Sequence, residues 1–191
     1  MLFTARGALT TMVEVKQLHE VPIRNTIVAV LLSLLAFLSA GFTTPDLNDF
    51  TSGAEKLGSG DYRGALVDFN KAIELNPEDP ESFFYRGLAK AKSGDFQGSI
   101  VDYDKAIQLK PNNLDSYGSR GIAKARLGDL EGAIQDFDKA IEISPKDGNA
   151  YFNRGIAMEM SGGMSDACVD WRKALDLGHA PAAKFMSKNC Q

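Results

Sequence analysis

Between residues 114 and 147 the apolar positions predict two amphipathic helices. The first helix is expected to run from Asn113 or Leu114 to about Leu127, and the second from Leu130 to Ile143. The apolar residues of the second helix recur at helical spacing and form one face: Ala133, Ile134, Phe137, Ala140 and Ile141. The segment therefore predicts a helical hairpin with one buried side.

Turn residues separate the two helices and end the second. Gly128 is expected to end the first helix in a left-handed conformation, and Asp129 to cap the start of the next. Pro145 ends the second helix, because proline cannot continue a helix and restricts the residue before it. Gly121 and Ala140 lack bulk, so the two helices can approach each other closely.

The whole pattern recurs with a fixed period. Pro77, Pro111 and Pro145 lie 34 residues apart. Four further series keep this spacing: Gly53, Gly87, Gly121 and Gly155; Gly60, Gly94, Gly128 and Gly162; Ala72, Ala106, Ala140 and Ala174; Phe69, Tyr103, Phe137 and Trp171. Such a period indicates helical pairs that stack to bury their apolar faces. A stacked array has an extended surface and no single catalytic cleft, which favours binding of another molecule.

This pattern resembles the tetratricopeptide repeat (TPR) family. The residues that stand at the family's spacing in the last unit are Tyr151, Gly155, Gly162, Ala167, Trp171 and Ala174. The resemblance covers about residues 46–179 as four repeats: 46–79, 80–113, 114–147 and 148–181. It implies an all-α, right-handed α-solenoid of helix-turn-helix units. In that fold the first helices line a concave groove and the second helices form the convex back.

The first and last repeats depart from the pattern. The first has Asp49, Ser52 and Glu55 where the others have an aromatic residue, an arginine and an alanine. The fourth has Gly163 where the others have a capping aspartate, and His179 at the repeat position of the prolines. Atypical terminal repeats are expected where an array ends.

The resemblance also implies which side chains line the groove. The predicted partner-binding residues are Phe50, Glu81, Phe84, Leu88, Lys92, Ile122, Arg126, Phe152 and Ile156. Some TPR proteins hold a carboxylate with asparagine and lysine in these rows, but Ala54, Leu88, Ile122 and Ile156 make one row aliphatic, so that clamp is not expected.

Such a groove suits a peptide or helix with apolar anchors, and an acidic residue on it could meet Lys92 or Arg126. Phe84 and Phe152 are expected to be exposed in the groove. The alternative is that these side chains, and the aliphatic ones, pack between adjacent first helices.

Arginines and aspartates share the same period. Arg86, Arg120 and Arg154 each precede a repeat glycine, and an aspartate precedes each second-helix aromatic: Asp68, Asp102, Asp136 and Asp170. Each arginine could pair with the aspartate of its own repeat or of the preceding one, and counting does not decide. We favour ion pairs between helices over a row of ligand-binding arginines.

Residues 27–42 form an uncharged apolar run of 16 residues, preceded by basic residues and followed by Asp46 and Asp49. As a helix the run spans about 24 Å, short of the ~30 Å hydrocarbon core. The charge asymmetry places the repeats on the far side of a membrane. Residues 1–42 are thus expected to be a signal peptide or a retained signal-anchor, with the repeats exported, most simply to a bacterial periplasm.

The chain has two cysteines, Cys168 and Cys190, on either side of a turn that begins at Gly178. If residues 181–190 form a helix that folds back on the last repeat, the two thiols meet. Ala182 and Phe185 belong to an apolar stripe on this segment, which suits a capping helix. Export would permit the disulfide. The alternative is two unpaired thiols.

Charge and residue types argue against several functions. The chain is mildly acidic, with a net charge of −4, whereas nucleic-acid binding normally requires a basic patch. The only histidines, His19 and His179, do not assemble a catalytic triad or a metal site, and no cofactor is expected. The sequence therefore predicts a non-enzymatic scaffold that binds a protein or peptide partner. The alternative is a structural module that self-associates; the scaffold itself is expected to be monomeric or weakly self-associating.

Overall fold

The computed structural model of this protein describes residues 45–190, and this range contains helices and no strands. The helices fall in pairs followed by a final single helix: α1 (Pro45–Ser59), α2 (Tyr62–Leu75), α3 (Pro80–Ser93), α4 (Phe96–Leu109), α5 (Leu114–Arg126), α6 (Leu130–Ile143), α7 (Gly148–Met160), α8 (Met164–Asp176) and α9 (Ala182–Asn189). The predicted bounds of α6 are confirmed at both ends. Helix α5 starts at Leu114, with Asn113 as its cap.

Local chemistry at the turns sets where each second helix begins. Gly128 has a φ of 88°, which is the left-handed conformation that glycine tolerates best. The next residue, Asp129, accepts a hydrogen bond from the backbone N–H of Gly132 at 2.9 Å and so caps α6. In the last repeat Gly163 takes the capping position, and α8 begins without a side-chain cap.

Consecutive helices pack against each other along the array, and the first helices also contact each other. The sequence of first-helix contacts runs from α1 to α3, from α3 to α5 and from α5 to α7. The second helices show no comparable mutual contacts within the described residues. This asymmetry brings the first helices together on one side of the stack and leaves the second helices on the other, as expected for a solenoid.

A buried aromatic side chain fills the space between the two helices of every repeat. Phe69, Tyr103, Phe137 and Trp171 are all essentially inaccessible to solvent. Each faces the glycine of its own first helix, and a Cβ placed on Gly121 would lie 2.9 Å from Cε1 of Phe137. The recurring glycine is therefore required by the close approach of a ring, because any side chain there would overlap it.

This packing predicts opposite effects for the same substitution at two positions of α5. We expect Gly121→Ala to lower the free energy of unfolding by about 1–3 kcal/mol, because the added methyl group overpacks against Phe137. Gly118→Ala is the matched control, since a Cβ there meets nothing within 4 Å. It should raise stability by about 0.5–1 kcal/mol through helix propensity. Urea unfolding of both variants tests this; two losses of equal size would contradict the role of the ring.

Helix α9 covers the end of the last repeat. Its Phe185 packs on Trp171, with ring centroids 5.1 Å apart, and on Phe152 at 5.0 Å. A disulfide joins Cys168 on α8 to Cys190 just beyond α9, with their Cα atoms 5.7 Å apart. The predicted capping helix and the predicted disulfide are therefore both present.

Residues 45–190 contain no helix that is long and apolar enough to cross a membrane. The apolar run at residues 27–42, and with it the predicted signal or anchor segment, lies outside the described residues. Export and membrane attachment remain predictions from the sequence.

Candidate partner-binding groove

Forked ion pairs fix the first helices that border the groove. Arg120 on α5 donates from Nε to Oδ2 of Asp136 at 2.9 Å and from Nη2 to Oδ1 at 2.5 Å. Arg86 and Asp102 repeat this geometry, and so do Arg154 and Asp170. The aspartates are almost completely buried. The favoured ion pairs between helices are present, and of the two pairings that the sequence left open the structure has the one within each repeat.

The same arginines also reach the preceding repeat. Nη1 of Arg120 lies 2.6 Å from Oδ1 of Asp104 on α4, and the guanidinium stands over the ring of Tyr117 at 5.4 Å. Burial by itself lowers the pKa of Arg120, but hydrogen bonds to Asp136 and Asp104 outweigh burial and raise the pKa above its ordinary value. The arginine row is thus engaged in holding helices together, and a partner would have to displace these carboxylates to use it.

A lysine supplements the arginine in the middle of the array. Lys124 lies 2.9 Å from the Asp136 carboxylate, and Lys90 lies 2.8 Å from that of Asp102. In the last repeat Met158 occupies the corresponding position, so Arg154 is the only cation in an ion pair with Asp170 among the described residues.

In the first repeat the position of the arginine is occupied by Ser52. There Lys56 and Ser52 both donate to Asp68 at 2.6 Å. Burial raises the pKa of Asp68, but these two hydrogen bonds lower it below its ordinary value overall. A lysine and a hydroxyl group therefore replace the forked arginine at this end of the array.

Two apolar concavities lie side by side between the first helices. The one between α3 and α5 has a volume of about 300 Å³, and the one between α5 and α7 about 480 Å³. Ile122 and Arg126 line both. The first is completed by Leu88, Ala91, Lys92, Phe96, Tyr103, Ser119 and Ala123, and the second by Ala125, Phe137, Asn153, Ile156, Ala157 and Met160. Together they form a continuous surface, which we call the groove.

Ile122 is the centre of the groove. It also lines a third, smaller concavity of about 180 Å³, which lies toward the amino-terminal ends of α5 and α7. Its side chain is 44% exposed although it is surrounded by apolar neighbours. An exposed isoleucine inside a concave apolar surface is a typical anchor point for a binding partner.

The two edges of the groove carry opposite charges. Lys92 and Arg126 lie at the carboxyl-terminal ends of α3 and α5 and are exposed to solvent. Across Ile122, the third concavity is lined by Asp115 and Asp147. Both cations lack an ion pair within residues 45–190. In contrast, Arg86, Arg120 and Arg154, which we call the ladder together with the aspartates they bind, are all paired. The basic edge is therefore free to meet a partner.

The predicted groove residues fall into two sets. Leu88, Lys92, Ile122, Arg126 and Ile156 come together on the two concavities. The other four do not line these concavities: Glu81, Phe50, Phe84 and Phe152. The reasons differ between the glutamate and the phenylalanines. Glu81 forms an exposed ion pair with Lys110 at 3.2 Å.

The three phenylalanines are half-buried against other rings. Phe50 packs on Phe69 and Tyr85, and Phe84 packs on Tyr85 and Tyr103. Phe152 lies against His179 at 4.5 Å between ring centroids and beneath Phe185 of α9. We expected Phe84 and Phe152 to be open in the groove. The structure instead gives both half-buried rings aromatic partners on α4 and α9, which are not the adjacent first helices of the alternative interpretation.

Ser119 and Asn153 line the groove and were not predicted from the sequence. They occupy equivalent positions one repeat apart, but the same position in the preceding repeat holds Tyr85. The series therefore has no shared chemistry that a pattern search would detect. Within residues 45–190, no cluster of histidine, cysteine, aspartate and glutamate has the arrangement needed for a metal ion.

Family comparison agrees with this geometry. The TPR repeat family model matches residues 57–94, 87–128 and 123–162, which together make up more than half of the chain. No curated protein sequence matches this chain.

Solved structures of similar fold are TPR proteins with low sequence identity. MamA from Desulfovibrio magneticus RS-1 superposes with a TM-score of 0.66 at 22% identity, covering 72% of this chain and 77% of MamA. TTC0263, a thermophilic TPR protein of Thermus thermophilus, gives 0.62 at 23% identity over 69% and 74%. The first TPR of Spaghetti (RPAP3), bound to the HSP90 peptide SRMEEVD, gives 0.59 at 22% identity over 64% and 95%. These likenesses confirm the all-α solenoid fold.

Proposed function

Because the chain belongs to the TPR repeat family, we propose that it is a non-enzymatic scaffold that binds a protein or peptide partner in the groove between α3, α5 and α7. The family fold is typical of interaction scaffolds. One structural neighbour, the first TPR of Spaghetti (RPAP3), was solved with a bound peptide, which shows what that protein does and supports the proposal here.

The observation that carries the proposal is the exposed Ile122 at the centre of a continuous apolar concavity. A partly exposed isoleucine gains roughly 1 kcal/mol or more when a partner covers it, at about 25 cal/mol per Å² of apolar area. Neighbouring side chains such as Leu88 and Ile156 would add further apolar contact. The groove is open enough for an extended peptide or one face of a helix.

We also propose that the scaffold works outside the cytoplasm. The apolar run at residues 27–42 and the disulfide between Cys168 and Cys190 support this location, because disulfides persist mainly in oxidising compartments. Selective labelling of intact cells with a membrane-impermeant reagent tests it. If the protein reacts with the reagent only after the cells are lysed and the cytoplasm is exposed, the proposed location is wrong.

Crosslinking capture from cells tests the groove directly. The full chain is compared with Ile122→Asp and with Val101→Asp, a matched control because Val101 on α4 is 60% exposed and lines none of the three concavities. Captured proteins should fall about tenfold or more with Ile122→Asp, the effect of losing about 1.4 kcal/mol of binding, and remain with Val101→Asp.

Circular dichroism establishes that both variants are folded before the capture is compared. Equal recovery by both variants would contradict a groove-centred function. Recovery of the same chain alone, with a mass that rises with concentration, would favour the self-associating module instead.

A further inference from the structure

We propose that the groove selects a segment in which a large apolar residue adjoins acidic residues, with the carboxylates meeting Lys92 and Arg126. This inference rests on the proposed function and names the chemistry of the partner. It comes from the arrangement of charge and apolar surface along the groove.

The cations of the groove are unlike those of the rest of the array. Five other basic side chains of α3, α5 and α7 are engaged with buried carboxylates: Arg86, Lys90, Arg120, Lys124 and Arg154. Lys92 and Arg126 lie on the same helices but form no ion pair with any described residue. In a chain with a net charge of −4, two unpaired cations beside an apolar surface form a local basic site.

The positive charge is concentrated where α3 and α5 border the groove. Lys92 and Arg126 both line the concavity between α3 and α5. The equivalent residue of α7 is Met160, which is 56% exposed and lines the larger concavity between α5 and α7. The smaller concavity therefore offers two cations, and the larger one shares Arg126 but otherwise offers mainly apolar surface for a bulky side chain. A ligand that satisfies both carries acidic and apolar groups side by side.

The opposite edge disfavours the reverse orientation. Asp115 and Asp147 line the concavity on the other side of Ile122, where a carboxylate of the ligand would be repelled. Attraction at one edge and repulsion at the other fix which side of the ligand faces Lys92 and Arg126. Because Lys92 is an exposed ammonium and Arg126 an exposed guanidinium, they add selectivity and speed of association more than raw affinity.

A displayed library of random peptides of about 12 residues, some 40 Å when extended, is the probe. The library is selected for binding to the full native chain and, separately, to three variants of it. The first is the doubly charge-reversed Lys92→Glu, Arg126→Glu protein. The second is Lys71→Glu, Lys173→Glu, which makes the same change of net charge at two exposed second-helix lysines. The third is Ile122→Asp.

On the native chain we expect peptides that combine leucine-like residues with aspartate or glutamate, enriched at least about tenfold over peptides in which lysine replaces the acid. The groove variant Lys92→Glu, Arg126→Glu should reverse this preference toward basic peptides. The control Lys71→Glu, Lys173→Glu should leave it unchanged. Ile122→Asp should abolish selection of the same peptides.

Each other result overturns the inference in a distinguishable way. In one such result, the native chain selects apolar peptides without an excess of acidic residues, and Ile122→Asp abolishes that selection. This result would support the groove as the binding site and contradict the charge selectivity. An equal loss of acidic preference in the control Lys71→Glu, Lys173→Glu would show attraction to the whole protein rather than to the groove. Identical selection by native chain and Ile122→Asp would remove the inference and the proposed function together.

Discussion

Replacing Arg154 by alanine should lower the free energy of unfolding by about 3–5 kcal/mol, the range for breaking a buried ion pair. Asp170 is only 4% exposed, and its two oxygens accept hydrogen bonds from Nε and Nη2 of Arg154 at 2.8 and 2.7 Å. Met158 holds the place where other repeats have a lysine, so the substitution leaves the Asp170 carboxylate buried without a cation. Urea or guanidinium unfolding, followed by circular dichroism, measures the loss.

Arg120→Ala is the matched comparison and should cost less than Arg154→Ala. Lys124 remains 2.9 Å from Asp136 and can still neutralise that carboxylate. Lys139→Ala provides the surface reference, because its pair with Glu142 is exposed and should contribute under about 1 kcal/mol. A loss for Arg154→Ala no larger than that for Lys139→Ala would show that the ladder does not stabilise the array.

Removing the disulfide should give the second large effect, a loss of about 3 kcal/mol in the chain-entropy account of a loop of this size. The bond joins residues 22 positions apart and holds the eight-residue helix α9 against the last repeat. A helix this short is unstable by itself in water. We therefore expect the variant Cys168→Ser, Cys190→Ser to release α9 at lower denaturant than the rest of the array.

Trp171 provides a local measurement of that release. It is the only tryptophan of the chain, is fully buried, and lies under Phe185 of α9. In the doubly substituted variant its emission should shift to the red and become accessible to iodide before the global transition. Native protein treated with a dithiol reductant should behave in the same way. If the protein without the disulfide has the same Trp171 emission and the same unfolding midpoint as the untreated native protein, the disulfide does not hold α9 in place.

Much of the fold follows from local sequence chemistry. The bounds of α6 were predictable because Gly128, Asp129 and Pro145 act within a few residues of the helix ends. The close approach of the two helices was predictable from the recurring small residues such as Gly121, and the structure shows that the ring of Phe137 occupies the space beside it. Neither inference required knowledge of how distant parts of the chain meet.

The groove was predictable only in part, because its limits depend on tertiary contacts. The central residues Leu88, Ile122 and Ile156 were identified from the family's groove positions. Phe152 occupies an equivalent row but lies beneath Phe185, and no periodic pattern reports what a single terminal helix covers. The double pairing of Arg120 was also missed, since a count of one partner for each arginine ignores the several donors of a guanidinium.

The ladder joins successive repeats with links of unequal strength, and this gives the array a direction of opening. Arg120 and Arg154 each reach a carboxylate of the preceding second helix, whereas Arg86 reaches only the neutral side-chain oxygen of Asn70. The opposite end is closed covalently at Cys168. We therefore expect thermal fraying to begin at the first repeat and to proceed toward the disulfide-bonded end, so the proposed binding surface on α5 and α7 would persist while α1 and α2 detach.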